Sequence, residues 1–349
     1  MLLEITILIV MLLLYTITNK EGFKNYKSIT VTPNISIHDK IQINSFYRGS
    51  FVDDIAKNIS RLYPIYKINN TNGSNANLKI TNAKTNILSI VQDESLNKFI
   101  QSNKNNNIRF ISCVGIEQLS LIVPLNSDIR VWKDLNNKNI GTLNKDTGVS
   151  GILDKLFENY NINANIIPTK IDKIIDNFKE NKIDAFFIIT SHPSNIIESI
   201  NKDIPIRFIG INSLNKDIIY KIFPYSKKSY IDMSIYNIVN KLPIETLNFK
   251  LNLVCHKDFR PSNSYNIIKK LFSKFVFMKI NGNDNYKKQM QYYNPNDLYL
   301  NNTLYKLHKG VKKYYINTGI ISYNDNKHCK YYVGIKKCNN KKLNHFRLL

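Results

Sequence analysis

Cysteine is scarce in this chain, and the few cysteines are scattered. The 349 residues contain four, Cys113, Cys255, Cys329 and Cys338. They are too few and too far apart to hold a chain of this length together as a disulfide scaffold, although Cys329 and Cys338 could close a small loop. The cysteines therefore leave the redox compartment open.

Several signatures of catalysis are also missing. The chain has no cysteine-rich iron motif, no His-x-x-x-His, no Gly-x-Ser-x-Gly and no phosphate loop. Near the C-terminus, His328, Cys329, Cys338 and His345 could bind zinc, but eight residues separate the two cysteines. The usual spacing is about two to four. We therefore predict a protein that is not an enzyme and holds no metal or cofactor.

Acidic residues are outnumbered, with 26 Asp or Glu against 49 Lys or Arg and a net charge of +23. The chain is crowded with Asn, Ile and Lys, the residues of AT-rich codons, so part of this excess reflects coding bias. Eleven basic residues and one Asp fall between Lys306 and Leu349, about +10 of the net charge. We predict that residues 321–349 form a solvated basic tail. Its tyrosines among lysines also resemble a nucleic-acid stripe, but nucleic acid is not the expected partner.

The N-terminus carries the one long apolar run. Residues 1–18 are almost continuously apolar, interrupted by Glu4 and Thr6, and lysines follow. There is no positive start and there are no small residues at the exit, so we predict that residues 1–19 form an uncleaved transmembrane anchor rather than a cleaved signal, followed by a linker at 20–37. The lysines after the apolar run favour a cytoplasmic position for the rest of the chain. This conflicts with the extracytoplasmic position implied below, so the sequence does not determine the side of the membrane.

Alternating apolar runs and helical periodicity predict an α/β fold with two lobes. A 43% apolar and 21% charged composition excludes wholesale disorder. Strands are predicted at residues 41–45, 78–80, 87–91, 108–114, 119–124, 139–143, 183–189, 205–211 and 247–256. Helices are predicted at residues 51–62, 149–160, 171–178, 265–275 and 305–319.

Polar or aromatic residues follow three of these strands, where open α/β sheets bind ligands. Thr147 is a plausible N-cap of the helix at 149–160, and Gly148, which has no side chain, lets the backbone approach a small ligand closely. The first N–H groups of that helix would suit an anion. Phe46, Tyr47 and Arg48 follow the first strand, and His192 follows the strand at 183–189. Ordinary turns that bind nothing fit the same patterns.

Six motifs in fixed order give a family resemblance that spans residues 41–319. The chain resembles the TAXI-type solute-binding proteins of tripartite transporters, which have the type II periplasmic-binding-protein fold. The motifs are Ser-Ile-Val-Gln-Asp at 89–93, Ile-Arg-Phe-Ile at 108–111 with Leu-Ile-Val-Pro at 121–124, Ile129 through Asp-Leu at 134–135 to Ile-Gly at 140–141, Thr-Gly at 147–148, Lys-Ile-Asp-Ala-Phe-Phe at 182–187 with His-Pro at 192–193, and Leu-His-Lys-Gly at 307–310 with Tyr-Tyr at 314–315.

The resemblance implies two α/β lobes joined by a double hinge crossover. Lobe 1 would comprise residues 38–123 plus 250–320, and lobe 2 residues 124–249. The lobes would close over a small anionic solute such as glutamate. The body would be extracytoplasmic, and a membrane transporter component is a possible partner.

The resemblance also implies a ligand site. Thr147 and Gly148 would supply N–H donors, while Phe46 and Tyr47 would wall the cleft. Further polar contacts would come from Ser89, Thr190 and His192.

Two departures from the family pattern bear on the solute. Residues 44–49 replace a Gly-rich turn, and Asp146 would repel a bound carboxylate if it points inward. Arg48 could compensate as a bidentate partner. The predicted function is therefore a membrane-anchored solute-binding protein that captures a small carboxylate or amino acid. The alternative is a non-enzymatic adaptor or structural protein that keeps the scaffold with a degenerate cleft.

Overall fold

The computed structural model describes residues 40–143, 148–275, 279, 282–290, 305–320, 330–332 and 335–337. The predicted membrane segment at 1–19 and linker at 20–37 lie outside these residues, as do Cys329, Cys338 and most of the predicted tail. Within the described ranges, no helix combines the length and apolar character needed to cross a membrane.

In the part of the chain that the structure describes, ten strands form one mixed sheet and two more form a separate hairpin. The order of eight strands across the sheet is β2-β1-β3-β10-β4-β7-β5-β6, while β8 also pairs with β4 and β9 with β10. The strands are β1 Gln42–Asn44, β2 Lys67–Asn69, β3 Ile87–Gln92, β4 Ile108–Pro124, β5 Asn139–Thr142, β6 Asn165–Pro168, β7 Ala185–Thr190, β8 Ile206–Ile209, β9 Lys227–Ile231, β10 Ile244–His256, and the hairpin β11 Lys330–Tyr332 with β12 Ile335–Lys337.

Two long antiparallel strands run through the middle of the sheet. β4 has 17 residues and β10 has 13. Residues 251–255 of β10 pair with β3, whereas residues 118–122 of β4 pair with β7. Each long strand therefore belongs to both halves of the sheet, and together they make two crossings between the halves.

Helices cover the sheet on both faces. In the described residues they are α1 Phe51–Leu62, α2 Ser74–Ala83, α3 Asp93–Ser102, α4 Val149–Tyr160, α5 Ile174–Lys179, α6 Asn195–Asp203, α7 Lys216–Ile222, α8 Pro261–Ser273, α9 Asp284–Met290 and α10 Lys309–Asn317. Short 3-10 turns lie at Trp132–Leu135, Ile171–Lys173, Ile211–Ser213 and Met233–Ile235. Because both faces are covered, strands such as β3 are buried at every position.

Separate apolar cores define two lobes. Lobe 1 contains β1–β3, α1–α3, α8–α10 and the adjoining ends of β4 and β10. Its cores place Ile55 on one face of the sheet and Leu78 on the other. Lobe 2 contains β5–β9, α4–α7 and the other ends of β4 and β10, with Ile152 on one face and Phe178 on the other. The α/β fold with two lobes is thus present.

Some sequence-based boundaries differ from the structure. Residues 78–80 were expected to be a strand but lie in α2. Tertiary contacts that the polar sequence does not reveal stabilise this helix. The buried Asn77 side chain, for example, donates to the Ser45 and Ile90 carbonyls at 3.0 and 2.9 Å. The two strands expected at 108–114 and 119–124 are one continuous β4. The expected lobe boundary after residue 123 falls at the end of β4, although residues 118–122 already pair with β7.

Helices α8 and α10 approach closely because Gly310 has no side chain. A Cβ added to Gly310 would come closer than 3.0 Å to the carbonyl oxygen of Pro261 and to Ser264 Oγ. We expect Gly310→Ala to lower the free energy of unfolding by about 1–3 kcal/mol, because the backbone of α8 must shift. Urea unfolding followed by circular dichroism measures this change.

Gly151 in α4 provides the matched control, since a Cβ there would meet only Lys98 Nζ, at 3.7 Å. We expect Gly151→Ala to be neutral or to stabilise by up to about 1 kcal/mol, because alanine has the higher helix propensity. Equal destabilisation by both substitutions would contradict the close packing of α8 against α10.

Candidate functional site

A small cavity lies between the two lobes, next to the crossing strands. Its volume is about 40 Å³, enough for roughly three water molecules. Lobe 1 and the crossing contribute Ser45, Phe46, Val52, Gly73, Ser74, Asn77, Ile90, Gln92, Glu117 and Leu251, and lobe 2 contributes Leu143, Gly148, Val149 and Ile189.

The cavity sits where strand ends from the two lobes meet. Ser45 follows β1 and Gln92 ends β3, two parallel neighbours in lobe 1. Leu143 follows β5 and Ile189 lies near the end of β7, again parallel neighbours, in lobe 2. Carboxyl ends of strands in open α/β sheets are the usual position of ligand sites.

The loop after β1 is held in place by hydrogen bonds around Asp53. Ser50 caps α1 by accepting from the Asp53 amide, and the Asp53 carboxylate accepts from the Gly49 amide at 3.0 Å and from Asn70 Nδ2 at 2.8 Å. Burial alone would raise the pKa of Asp53, but these bonds and Lys57 hold it below its usual value. Phe46 is therefore presented to the cavity by a fixed loop.

Gly148 brings the start of α4 against lobe 1. A Cβ on Gly148 would come within 3.0 Å of Gln92 Oε1 and closer still to Ser95 Oγ. Both of these oxygens are buried and have no hydrogen-bond partner among the described residues. Two polar atoms of lobe 1 thus point at the first turn of a helix in lobe 2, where backbone N–H groups have no partner within the helix.

Glu117 lies on β4 at the crossing and is half-buried, with part of its surface on the cavity. Its Oε2 accepts a hydrogen bond from Gln92 Nε2 at 3.0 Å. Burial raises the pKa of Glu117 to about 7, although the bond from Gln92 opposes the shift. Burial and the nearby Glu117 charge both raise the pKa of Tyr47, which keeps its phenol neutral. No Lys, Arg or His is among the described residues that line the cavity.

Contacts between the lobes flank the cavity. Lys155 on α4 forms an ion pair with Glu94 on α3. On another side, Gln289 Nε2 on α9 donates to the Pro193 carbonyl at 2.6 Å, and Asn285 Nδ2 donates to Asn195 Oδ1 at 2.8 Å. These contacts join the two lobes directly.

The structure brings three of the predicted site residues together. Phe46 and Gly148 line the cavity, and Tyr47 lies close enough to Glu117 for the carboxylate charge to raise the pKa of its phenol. Arg48 is exposed and does not line the cavity, so it does not offset a negative charge there. Thr147, together with Asp146, lies outside the described residues.

The other three predicted residues have their polar groups engaged away from the cavity. The Ser89 hydroxyl is fully buried between Thr81 and Asn44 Nδ2. Thr190 Oγ1 makes 3.4 Å contacts with the Ser191 carbonyl and Ser194 Oγ.

The imidazole of His192 is fully buried. Its ring nitrogens contact Ser120 Oγ at 2.9 Å and the Tyr236 hydroxyl at 2.6 Å. Burial lowers its pKa to about 3, so the ring is neutral and joins β4 to the Met233–Ile235 turn.

Sequence reasoning missed Gln92, Ser95 and Glu117 as site residues. Gln92 and Ser95 had a usable signal, since they directly follow the strand predicted at residues 87–91. Glu117 is the one acidic residue within the largely apolar stretch from Ile108 to Pro124, and a charged residue in the middle of a buried strand indicates either a partner or a site.

The sequence profile of the NMT1-like family matches residues 54–319. The chain belongs to the NMT1-like family. No curated protein matches this member of the family in sequence.

Many solved structures are similar to this NMT1-like chain at low sequence identity. A protein of Bordetella bronchiseptica RB50 is 10% identical with a TM-score of 0.52, and the match covers 80% of this chain and 98% of that one. The periplasmic aliphatic sulphonate binding protein SsuA of Escherichia coli is 12% identical with a TM-score of 0.43, covering 68% and 74%. The substrate binding protein of an amino acid ABC transporter is 12% identical with a TM-score of 0.43, covering 72% and 98%. The similarity to the Bordetella protein shows a shared fold.

We expect the stability of the protein to depend on the ionisation of Glu117. Its pKa is about 7 in the folded protein and about 4.3 in an unfolded chain. The folded state therefore binds this proton more tightly, so the stabilising contribution is fully present below about pH 4 and is lost as the pH rises to about 7.

Glu117→Gln removes the titration. The unfolding free energy of the wild type minus that of Glu117→Gln should fall by about 3 kcal/mol between pH 4.5 and pH 8. Urea unfolding of both proteins at several pH values measures it, and groups common to both proteins cancel. A difference independent of pH would mean that Glu117 titrates near its ordinary value.

Proposed function

We propose that the chain is a solute-binding protein that captures a small carboxylate or amino acid between its lobes. The observation that carries this proposal is the pair of buried oxygens without described partners, Gln92 Oε1 and Ser95 Oγ, which face the start of α4 across the lobe boundary. Leaving such atoms unpaired costs about 1–3 kcal/mol each. A solute that hydrogen-bonds to them would remove that cost.

Capture requires the lobes to separate and close again. A cavity of about 40 Å³ has no room for a solute the size of glutamate. The pairing of β4 with β10 is irregular between Leu251 and Asn252 and again between Leu253 and Val254. These irregularities lie where β10 pairs with β3, among core residues of lobe 1, and they are sites where the crossing strands could bend in a hinge motion.

The order of motifs supports a more specific assignment within the NMT1-like family. We propose a TAXI-type binding protein that works with a membrane transporter component. Residues 1–19 would anchor it and hold the body outside the cytoplasm.

An adaptor with a degenerate cleft is the second candidate. The small volume of the cavity favours it, as does a carboxylate, Glu117, in the position where an anionic solute was expected. In this role the lobes would stay closed, and the contacts of Glu94 with Lys155 and of Gln289 with Pro193 would be permanent.

Thermal unfolding of the full-length chain with amino acids, dicarboxylates and sulphonates separates the two candidates. A ligand at about a hundred times its dissociation constant should stabilise the protein by about 2.7 kcal/mol. Gly148→Val should abolish this effect, because the added side chain pushes Gln92 and Ser95 away from α4.

Gly151→Ala is the control, since it changes another glycine of the same region without crowding Gln92 or Ser95. A panel in which no compound raises the melting temperature would favour the adaptor. A shift that survives Gly148→Val unchanged would place the solute elsewhere.

A further inference from the structure

A second cavity lies at the outer end of lobe 1. This outer cavity has a volume of about 270 Å³, larger than the inter-lobe cavity, and is lined by Arg109, Lys257, Asp258, Leu307 and Lys309. Arg109 is half-buried, whereas both lysines and the aspartate are exposed, so the cavity opens to solvent. Surface lysines are common in so basic a chain, but these two converge on a recess together with a half-buried arginine.

The outer cavity is remote from the inter-lobe cavity. Leu251 of β10, which lines the inter-lobe cavity, pairs with Gln92 at the end of β3. Further along β10, Cys255 pairs with Arg109 at the start of β4. Residues in a strand are about 3.3 Å apart, so about 13 Å of sheet separates the two pairs. A group bound at Arg109 would therefore not touch the inter-lobe lining.

Backbone hydrogen bonds fix the three segments of chain that form the outer cavity. The Lys257 amide, just after β10, donates to the Asn107 carbonyl, just before β4, at 2.6 Å. The Phe110 amide donates to the Lys306 carbonyl at 2.9 Å, and the Phe110 carbonyl accepts from the His308 amide at 3.0 Å. The start of β4 thus holds both the turn after β10 and the segment that leads into α10. This brings the three basic residues of the lining together.

Arg109 is oriented by the chain around its own strand end. Its Nη1 donates to the Ile108 carbonyl at 2.7 Å and to the Asn106 carbonyl at 3.3 Å. The other two nitrogens of the guanidinium have no hydrogen-bond partner among the described residues. Arginine carries five N–H donors in a planar fork, so Nε and Nη2 can donate to two oxygens of one ligand.

The charges of the lining do not cancel. Three side chains are basic and one, Asp258, is acidic, which leaves a net charge of 3 − 1 = +2. Among the described residues, the recorded ion pair of Asp258 is with His256, at 3.7 Å, and not with a basic residue of the lining. Burial lowers the pKa of His256, and the charges of Lys257 and Arg109 lower it further, although Asp258 opposes the shift. His256 is therefore neutral and does not change the balance.

We infer that the outer cavity binds a dianionic phosphate group, carried by a small molecule or a lipid, with Arg109 donating to two of its oxygens and Lys257 and Lys309 neutralising the remaining charge. A phosphomonoester carries about two negative charges at neutral pH, which matches the net charge of the lining. Arginine and lysine are the side chains that usually bind phosphate. The inference goes beyond the proposed function and is independent of it, since the two cavities share no lining residue.

Isothermal titration of the full-length chain with inorganic phosphate tests the inference, with the ionic strength held constant by sodium chloride. The wild type should bind phosphate at one site, and at least about tenfold more tightly than acetate. Acetate carries a single charge, and losing one charge-assisted hydrogen bond weakens binding by about that factor.

Substitutions in the lining should change phosphate binding in both directions. The double variant Lys257→Gln with Lys309→Gln should bind phosphate at least about tenfold more weakly. Asp258→Asn should bind it at least about threefold more tightly, because the one acidic group is removed. The matched control is Lys269→Gln with Lys270→Gln, which removes the same charge from exposed positions of α8 outside the lining. The control should stay within about twofold of the wild type.

Two further ligands distinguish the carriers of the phosphate group. Glycerol 3-phosphate that binds as tightly as inorganic phosphate indicates a small molecule. Sedimentation with phosphatidylcholine vesicles that increases when phosphatidic acid is added, and does so less in the Lys257→Gln, Lys309→Gln variant, indicates a lipid headgroup. Binding of neither carrier leaves inorganic phosphate itself as the ligand.

Four results would overturn the inference. They are no phosphate binding by the wild type, acetate binding as tight as that of phosphate, equal weakening by the α8 control, and unchanged binding by the Lys257→Gln, Lys309→Gln variant. In the last case, loss of phosphate binding in Gly148→Val would place the anion between the lobes instead. Retention of phosphate binding in Gly148→Val is expected, whatever the outcome for solute capture.

Discussion

The antiparallel pairing of β4 with β10 is the constraint on which the rest of the molecule depends. Both strands run through both lobes, so each apolar core is built partly on the same two segments of chain. The lobes can therefore change their relative position only by bending these strands. Glu117 lies on β4 between the part that pairs within lobe 1 and the part that pairs with β7.

Two carboxyl groups near the crossing, the buried Asp93 and the half-buried Glu117, have different surroundings. Asp93 accepts from Asn252 Nδ2 at 2.5 Å and from the Tyr305 hydroxyl at 3.0 Å, and burial nevertheless raises its pKa to about 6. It ties α3 to β10 and is structural. Glu117 accepts one described bond and faces a cavity, and burial raises its pKa to about 7. A carboxyl group less well compensated than its neighbour, and open to a cavity, is what a binding site requires of a charged contact.

The small cavity and the contacts around it describe one state of a protein whose proposed function, solute capture, needs two. The ion pair of Glu94 with Lys155 is partly exposed, and pairs of that kind contribute little to stability. The bond from Gln289 to the Pro193 carbonyl is buried and worth about 1 kcal/mol. These two contacts therefore contribute little to holding the lobes together, whereas Phe46 packs against core residues of both lobes. A bound solute would then add the contacts that make closure favourable.

What the sequence by itself determined is local. The apolar positions of α4 and the buried strands β3 and β7 were predictable, because helical periodicity and short apolar runs report burial within a few residues of chain. Phe46 and Gly148 were predictable as residues that follow strand ends. The tertiary structure alone decided that Gln92 and Ser95 meet Gly148, more than fifty positions away, and that Glu117 joins them. It also decided that the side chains of His192 and Ser89 are buried and form hydrogen bonds with other buried groups. These outcomes depend on the register of β4 against β10 and on how closely the lobes approach, and neither leaves a periodic signal in the chain.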